Sequence, residues 1–293
     1  MSLEAENAAA AATGRCLALL VEYDGSRFAG SQLQKNAVTV QGVLEEAILK
    51  ATSEASRVAF AGRTDTGVHA RGQVASFRTA STLDAETLRR ALNAWLPEDV
   101  TIREVADVAR DFDPRRDASR RHYRYVIDNR ASRPALARGL AWHVPGELDV
   151  DSMSEAARSI TGRRDFAAFA SRLEDASAST IRELNCFAVS RRGASIVIDL
   201  EANAFLPHQV RRMTGALVEV GRGKLSPEQY VALLEGAPAS AGPAAPPHGL
   251  YLMHVYYDRP VFVTIVDSAF EAGGHHRASA EDRQATLDSE GGV

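Results

Sequence analysis

Cysteine is scarce: Cys16 and Cys186 are the two in 293 residues. They lie far apart in apolar contexts, which excludes a disulfide scaffold and reads as two free buried thiols. No apolar run approaches the roughly 18–20 residues that a membrane-spanning helix needs. The small-residue stretch 8–12 has no basic residue before it, so it does not read as a signal peptide, and the expected compartment is the cytoplasm. The eight histidines include no His-Glu-x-x-His spacing and there is no Cys-x-x-Cys, so no metal is assigned. What is present is an ordinary globular composition, 45% apolar and 25% charged. It excludes collagen and a wholly disordered chain, and a length prior of about 100–200 residues per domain suggests two domains or one large one.

Lysine is the other near-absence. Of 34 basic residues only Lys35, Lys50 and Lys224 are lysines, so 31 are arginines, set against 38 acids for a net charge of -4. A genome-wide bias toward arginine explains this blandly; the functional alternative is that guanidinium forks suit phosphate and base stacking. The distribution is uneven. Arg110, Arg115, Arg116, Arg120, Arg121 and Arg124 form one cluster, and Arg211, Arg212, Arg222 and Lys224 a second. Such local basic stripes on an acidic chain are compatible with nucleic-acid binding.

Periodicity predicts the elements. Residues 1–14 and 263–293 are expected to be a disordered N-terminus and a flexible tail. Between them, a strand over 16–23, a helix over 39–51, short strands over 58–61 and 73–77, a helix capped by Asp84 and ended by Pro97, and a strand over 100–108 follow the β-α-β-β-α-β split pattern. The rhythm recurs: strand 121–127, helix 151–160, strands 185–190 and 195–202, a helix opened by Pro207, a short helix begun by the capping box Ser226-Pro227-Glu228-Gln229, an Ala/Pro loop over 237–247 and a strand over 250–257. The fold class is α+β. Two ferredoxin-like halves, 15–112 and 113–262, are expected to join edge to edge into one large, mainly antiparallel sheet with a cleft between them.

The densest unusual stretch is Gly62-Arg63-Thr64-Asp65-Thr66-Gly67-Val68-His69-Ala70, between two predicted strands. A tight connection in which Asp65 bonds turn amides is one reading; a nucleophilic carboxylate kept ionised by the Arg63 guanidinium is the other. Asp65-Thr66-Gly67 also matches the short signature of aspartic proteases, but no second Asp-Thr-Gly exists in the chain. Gly221-Arg222-Gly223-Lys224 looks like half a phosphate-binding loop, yet Leu225 stands where Ser or Thr is required. It reads as a loop touching a nucleic-acid phosphate, or as a plain connection.

The Asp65 stretch, followed by Gln73-Val74 and Phe77, resembles the signature of the TruA family of tRNA pseudouridine synthases. Tyr23-Asp24-Gly25-Ser26-Arg27-Phe28-Ala29-Gly30 with Gln32-Leu33-Gln34, Asn93-Ala94-Trp95-Leu96-Pro97, Arg121-His122-Tyr123-Arg124-Tyr125, Phe205-Leu206-Pro207-His208-Gln209-Val210-Arg211-Arg212-Met213 and Gly249-Leu250-Tyr251-Leu252 agree in order and spacing. The resemblance spans about residues 16–260. It implies the pseudouridine synthase fold and isomerisation of uridine to pseudouridine in the anticodon arm of tRNA, without cofactor or metal, by a homodimer that holds each tRNA across both subunits. It implies Asp65 as the catalytic carboxylate, attacking the substrate or abstracting a sugar proton. Arg63 is implied to pair with Asp65, Tyr123 to stack on the base and accept or relay the C5 proton, and Arg211 to orient Asp65. Leu250 or Leu252 would wall the uracil, with Arg27, Gln32, His69, Arg120, Arg121 and Arg212 completing the substrate contacts.

Each assignment has a bland counterpart: Tyr123 and Tyr125 share a strand face and could be core, Arg211 a surface stripe, His69 a turn histidine. The competing class is a non-catalytic RNA-binding module of the same fold, which loss of Asp65 would have signalled; Asp65 is present. Two departures from the family pattern stand out. Ser31 replaces the aromatic of Gly-Trp-Gln, and Phe112-Asp113-Pro114-Arg115 replaces Phe-His-Ala-Arg, placing a carboxylate in a basic segment.

Overall fold

The computed structural model describes residues 14–171, 177 and 179–263. The expectations for residues 1–13 and for the tail beyond 263 lie outside the described residues. The two ends that are described are both engaged: Gly14 is buried, and the Val263 amide donates to Glu104 Oε1 at 2.7 Å.

The first half runs β1 (Arg15–Tyr23), α1 (Val40–Thr52), β2 (Ala59–Phe60), β3 (His69–Thr79), α2 (Ala85–Trp95) and β4 (Val100–Val108). The second runs β5 (Ala118–Asp128), β6 (Trp142–His143), α3 (Val150–Ser159), β7 (Gly162–Asp165), β8 (Ile181–Arg192), β9 (Ser195–Ala202), α4 (Gln209–Gly221), α5 (Pro227–Ala232) and β10 (Leu250–Tyr257). Local chemistry explains the helix starts. Thr39 accepts the Gly42 amide at the head of α1, Asp84 the Thr87 amide at α2, and Ser226 with Gln229 closes the capping box of α5, each satisfying amide donors that a helix end leaves orphaned. The apolar period of α1 points Val40, Leu44, Ala47 and Ile48 inward. β1, an almost unbroken apolar run, is buried along both faces between β4 and β3.

The strands make one sheet in the order β4-β1-β3-β10-β5-β9-β8-β7, with β2 on β3 and β6 on β5. Its ladders are antiparallel except for two short parallel ones, β10 on β3 and β6 on β5. The sheet is thus mainly antiparallel, as expected, and the join between the halves is one of its two parallel ladders, only two pairs long: Tyr251 with His69 and Leu252 with Ala70. Farther along the same edge of β3, β2 pairs Ala59 with Ser76 and Phe60 with Ala75. Two strands thus share one edge of β3 and part between these contacts. At the parting β10 crosses so close to Gly72 that an added Cβ would lie 2.3 Å from the Met253 carbonyl. The loop 61–68, which connects β2 to β3, is delivered by this topology to the seam. One continuous core containing Leu17, Leu44, Leu92, Ile127, Phe169 and Leu217 underlies both halves.

Candidate active site

The loop that carries Asp65 is held from several sides. The Ala61 amide donates to Val74 O at 2.8 Å, Gln73 Nε2 donates to Gly62 O at 2.8 Å, and the Thr64 and Tyr23 hydroxyls lie 2.7 Å apart. Tyr23 is buried, and desolvation pushes its phenol up to about 12 despite its hydrogen bonds. The chain then turns within Asp65–Val68, the Val68 amide returning to Asp65 O at 3.1 Å. Gly67 carries φ +78° at this turn, a value open to glycine at no steric cost. The Val68 carbonyl passes Gly25 so closely that an added Cβ would lie 2.0 Å from it, so position 25 also requires glycine.

The Asp65 carboxylate faces the other half. Arg211 Nη1, in the first turn of α4, donates to Asp65 Oδ2 at 2.9 Å, and its Nε donates to the Ala245 carbonyl at 2.8 Å. His208 Nε2 lies 3.4 Å from the same carboxylate oxygen. Asp65 is about one-third exposed, whereas the Arg211 side chain is largely covered. The arginine is thus mostly covered while the carboxylate it holds keeps part of its surface open. His208 has φ +61°, which explains why α4 begins at Gln209 and not at Pro207 as the sequence suggested.

Tyr123 lies near this pair, close enough to Asp65 for the carboxylate's charge to act on its phenol. On β5 it sits opposite Leu252 of β10 and Leu200 of β9, and its hydroxyl is 3.6 Å from where a Cβ on Gly62 would be. Phe205 meets its ring edge-on, centroids 5.2 Å apart. Burial first, then the neighbouring Tyr23 and Asp65, raise the Tyr123 phenol far above its ordinary range, so at neutral pH it is a protonated donor. Tyr125, on the same strand face, is different: its hydroxyl is bonded to Pro246 O at 2.7 Å and its ring packs on Gly249 and Trp142. Leu252 is the leucine beside Tyr123, while Leu250 pairs with Tyr125.

Several expected substrate contacts are placed elsewhere. Arg63 is exposed, and among the described residues the basic side chains that contact Asp65 are Arg211 and His208, not Arg63. Extended backbone would put positions two apart on one face, but residues 61–68 are loop and turn, not strand, so the local pair that the sequence suggested does not form. Arg121 is buried and donates to the carbonyls of Ala118, Asn203, Ala61 and Arg115, so it is an internal strut. Arg212 donates to Ala239 O and Gly242 O and ties down the Ala/Pro loop. His69 is buried at the seam, with the Gly25 amide and Asp24 at Nδ1, the carbonyls of Gly139 and His248 at Nε2, and Tyr251 stacked on its ring.

Arg27 and Gln32 are exposed, Arg27 pairing with Asp99. Arg120 is half exposed, pairs with Glu201 and lies over the Tyr256 ring. The basic stripe is thus largely neutralised: Arg116 is held by Asp113 and Arg124 by Asp199. Arg222 and Lys224 both pair with Glu219, so the phosphate-loop look-alike is a helix end. His208, Phe205 and Ser31 are the neighbours of this site to which sequence reasoning gave no role. The first two sit within the motif around Arg211, which was the available signal.

A family model described as tRNA pseudouridine synthase matches residues 19–115 and 156–258. The chain belongs to this family. It is 41% identical over 244 residues to a tRNA pseudouridine synthase A of Geotalea uraniireducens, covering 83% of this chain and the whole of that protein. It is 43% identical over 245 residues to one of Geobacter sulfurreducens, with the same coverage of both. A protein of that name from Roseiflexus sp. is 44% identical over 247 residues, 83% of this chain and 91% of the relative. The matched segments contain the Asp65 loop, Tyr123's neighbours on β9 and the first turn of α4; the family's reaction, isomerisation of uridine to pseudouridine in tRNA, is the reaction of this synthase.

Proposed function

We propose that Asp65, held by Arg211 across the seam, is the catalytic carboxylate of this isomerisation and that the substrate uridine lies in the anticodon arm. The observation that carries the assignment is the 2.9 Å Arg211–Asp65 contact between elements of different halves, with a protonated tyrosine beside it. The reaction breaks the N1–C1′ bond, turns the uracil and forms C5–C1′; the C5 proton is lost and N1 gains one, so the sum is an isomer. A carboxylate anchored through one oxygen can act on the sugar, either by attack or by removing a sugar proton. The residues support both routes.

Tyr123 is suited to the base. A phenol whose pKa is far raised does not supply a phenolate to take the C5 proton outright. It can relay that proton, accepting it on oxygen as it passes its own hydrogen on. Leu252 and Phe205 give the uracil an apolar surround, and extrusion of the nucleotide from its stack would bring it there. The exposed Arg63 guanidinium is placed to meet phosphate near the site. In the proposed assembly two copies of the chain hold each tRNA between them, in the cytoplasm; the family resemblance supports the dimer, and no helix among the described residues is long and apolar enough to cross a membrane. The test is tritium release from [5-³H]uridine-labelled unmodified tRNA. Wild type should release tritium, and folded Asp65→Ala should bind tRNA with nearly unchanged affinity and release none. Loss of binding equal to the loss of turnover would contradict a chemical role.

A further inference from the structure

We infer that Ser31 is a positioning residue for Asp65, clamping the catalytic loop through the main chain of Thr64. The inference rests on the assignment of Asp65 above. Ser31 is wholly buried, and its hydroxyl oxygen accepts the Thr64 amide at 2.9 Å while its own amide donates to the Thr64 carbonyl at 3.0 Å. The residue before Asp65 is thereby gripped at both of its peptide groups. On its other side the Ser31 carbonyl accepts the amide of Gln41, and the preceding Gly30 carbonyl that of Val40. A hydrogen-bonded path therefore runs from the first turn of α1 through Ser31 to the peptide adjoining the carboxylate.

Two features show that the grip is built and not incidental. Gly30 takes φ +91°, and a Cβ there would stand 2.8 Å from Thr64 O, so the backbone is bent to bring Ser31 against the loop. The Thr64 side is closed by the Tyr23 hydroxyl, and Thr64 is buried, so loss of the acceptor for its amide would be costly. A residue at position 31 without a side-chain oxygen has nothing to offer this amide. The serine is thus a side-chain acceptor that holds Asp65 at the distance from which Arg211 reaches it.

The experiment measures steady-state tritium release and amide exchange at Thr64, with Asp65→Ala as the blank. For Ser31→Ala, at a temperature where melting curves show both proteins folded, kcat should fall about 10- to 100-fold, the range expected when a reacting group is displaced by about 1 Å. KM and tRNA affinity should stay within about threefold, and the Thr64 amide should exchange faster than in wild type. A folded Ser31→Ala protein with kcat within twofold of wild type would overturn the inference, as would a loss carried by KM alone. Should the variant not fold, wild type decides: a Thr64 amide exchanging as fast as that of exposed Thr66 would overturn the clamp, and strong protection would support it. Failure of wild type to release tritium would instead overturn the assignment of Asp65, leaving the exchange result to stand for the clamp by itself.

Discussion

At the scale of single residues, the arginine excess has a use that neither genome bias nor phosphate binding describes. Arg121, Arg211, Arg212 and Arg191 all donate to main-chain carbonyls, the last to Leu148 O. A planar fork with five donors satisfies several carbonyls at once, which an ammonium cannot do in a fixed geometry. Arg121→Ala should therefore destabilise the fold by about 3 kcal/mol, since it leaves several buried carbonyls unpaired, and urea denaturation will register it. Arg121→Lys should recover only part of that. Arg120→Ala, which removes a half-exposed ion pair, should cost under about 1 kcal/mol. The same distinction shows what was legible. Asp65, Tyr123 and Arg211 could be found because motif and order mark them, but burial of Arg121 and divergence of Arg63 from Asp65 depend on which face of an element meets the core, and charge in a sequence does not report that.

At the scale of elements, the start of α4 holds the strain. His208 in a left-handed conformation costs an L-residue roughly 1 kcal/mol or more, and it is kept where its side chain reaches Asp65. His208→Gly should raise stability by about 1 kcal/mol while slowing tritium release, a trade that melting curves and the assay measure together. On the β5–β9 pair, burial raises the Asp199 carboxyl, but hydrogen bonds from His122 and Arg124 outweigh it and hold the pKa below the ordinary carboxylate value. A folded-state pKa below the unfolded one, near 3.9, gives stability that is complete above the unfolded value and lost as pH falls through the folded one. Asp199→Asn should remove that contribution at neutral pH and flatten the acid limb of a stability–pH curve. Long periodic elements were legible because amphipathic spacing and caps are local. β6 and β7 were not, because no apolar alternation marks them and only the partners they pair with, β5 and β8, define them.

At the scale of the whole molecule, the site exists because two halves are joined by a seam of two residue pairs, and a loop from one half and a helix from the other meet beside it. The repeated strand and helix order announced two halves. It did not announce a parallel join, which depends on β10 returning across the chain to the edge of β3 after α5. The dimer proposal belongs to this scale: light scattering behind size exclusion should give twice the chain's 31.6 kDa, and a monomer that turns over tRNA would contradict it. The central claim is that the cross-seam Asp65–Arg211 pair performs the isomerisation. Its most direct test is single-turnover tritium release at saturating enzyme, for wild type, Asp65→Ala and Arg211→Lys. Release by wild type, none by Asp65→Ala and at least about a hundredfold slower release by Arg211→Lys, with tRNA retained by all three, is the predicted result. Release at the wild-type rate from folded Asp65→Ala would contradict the account.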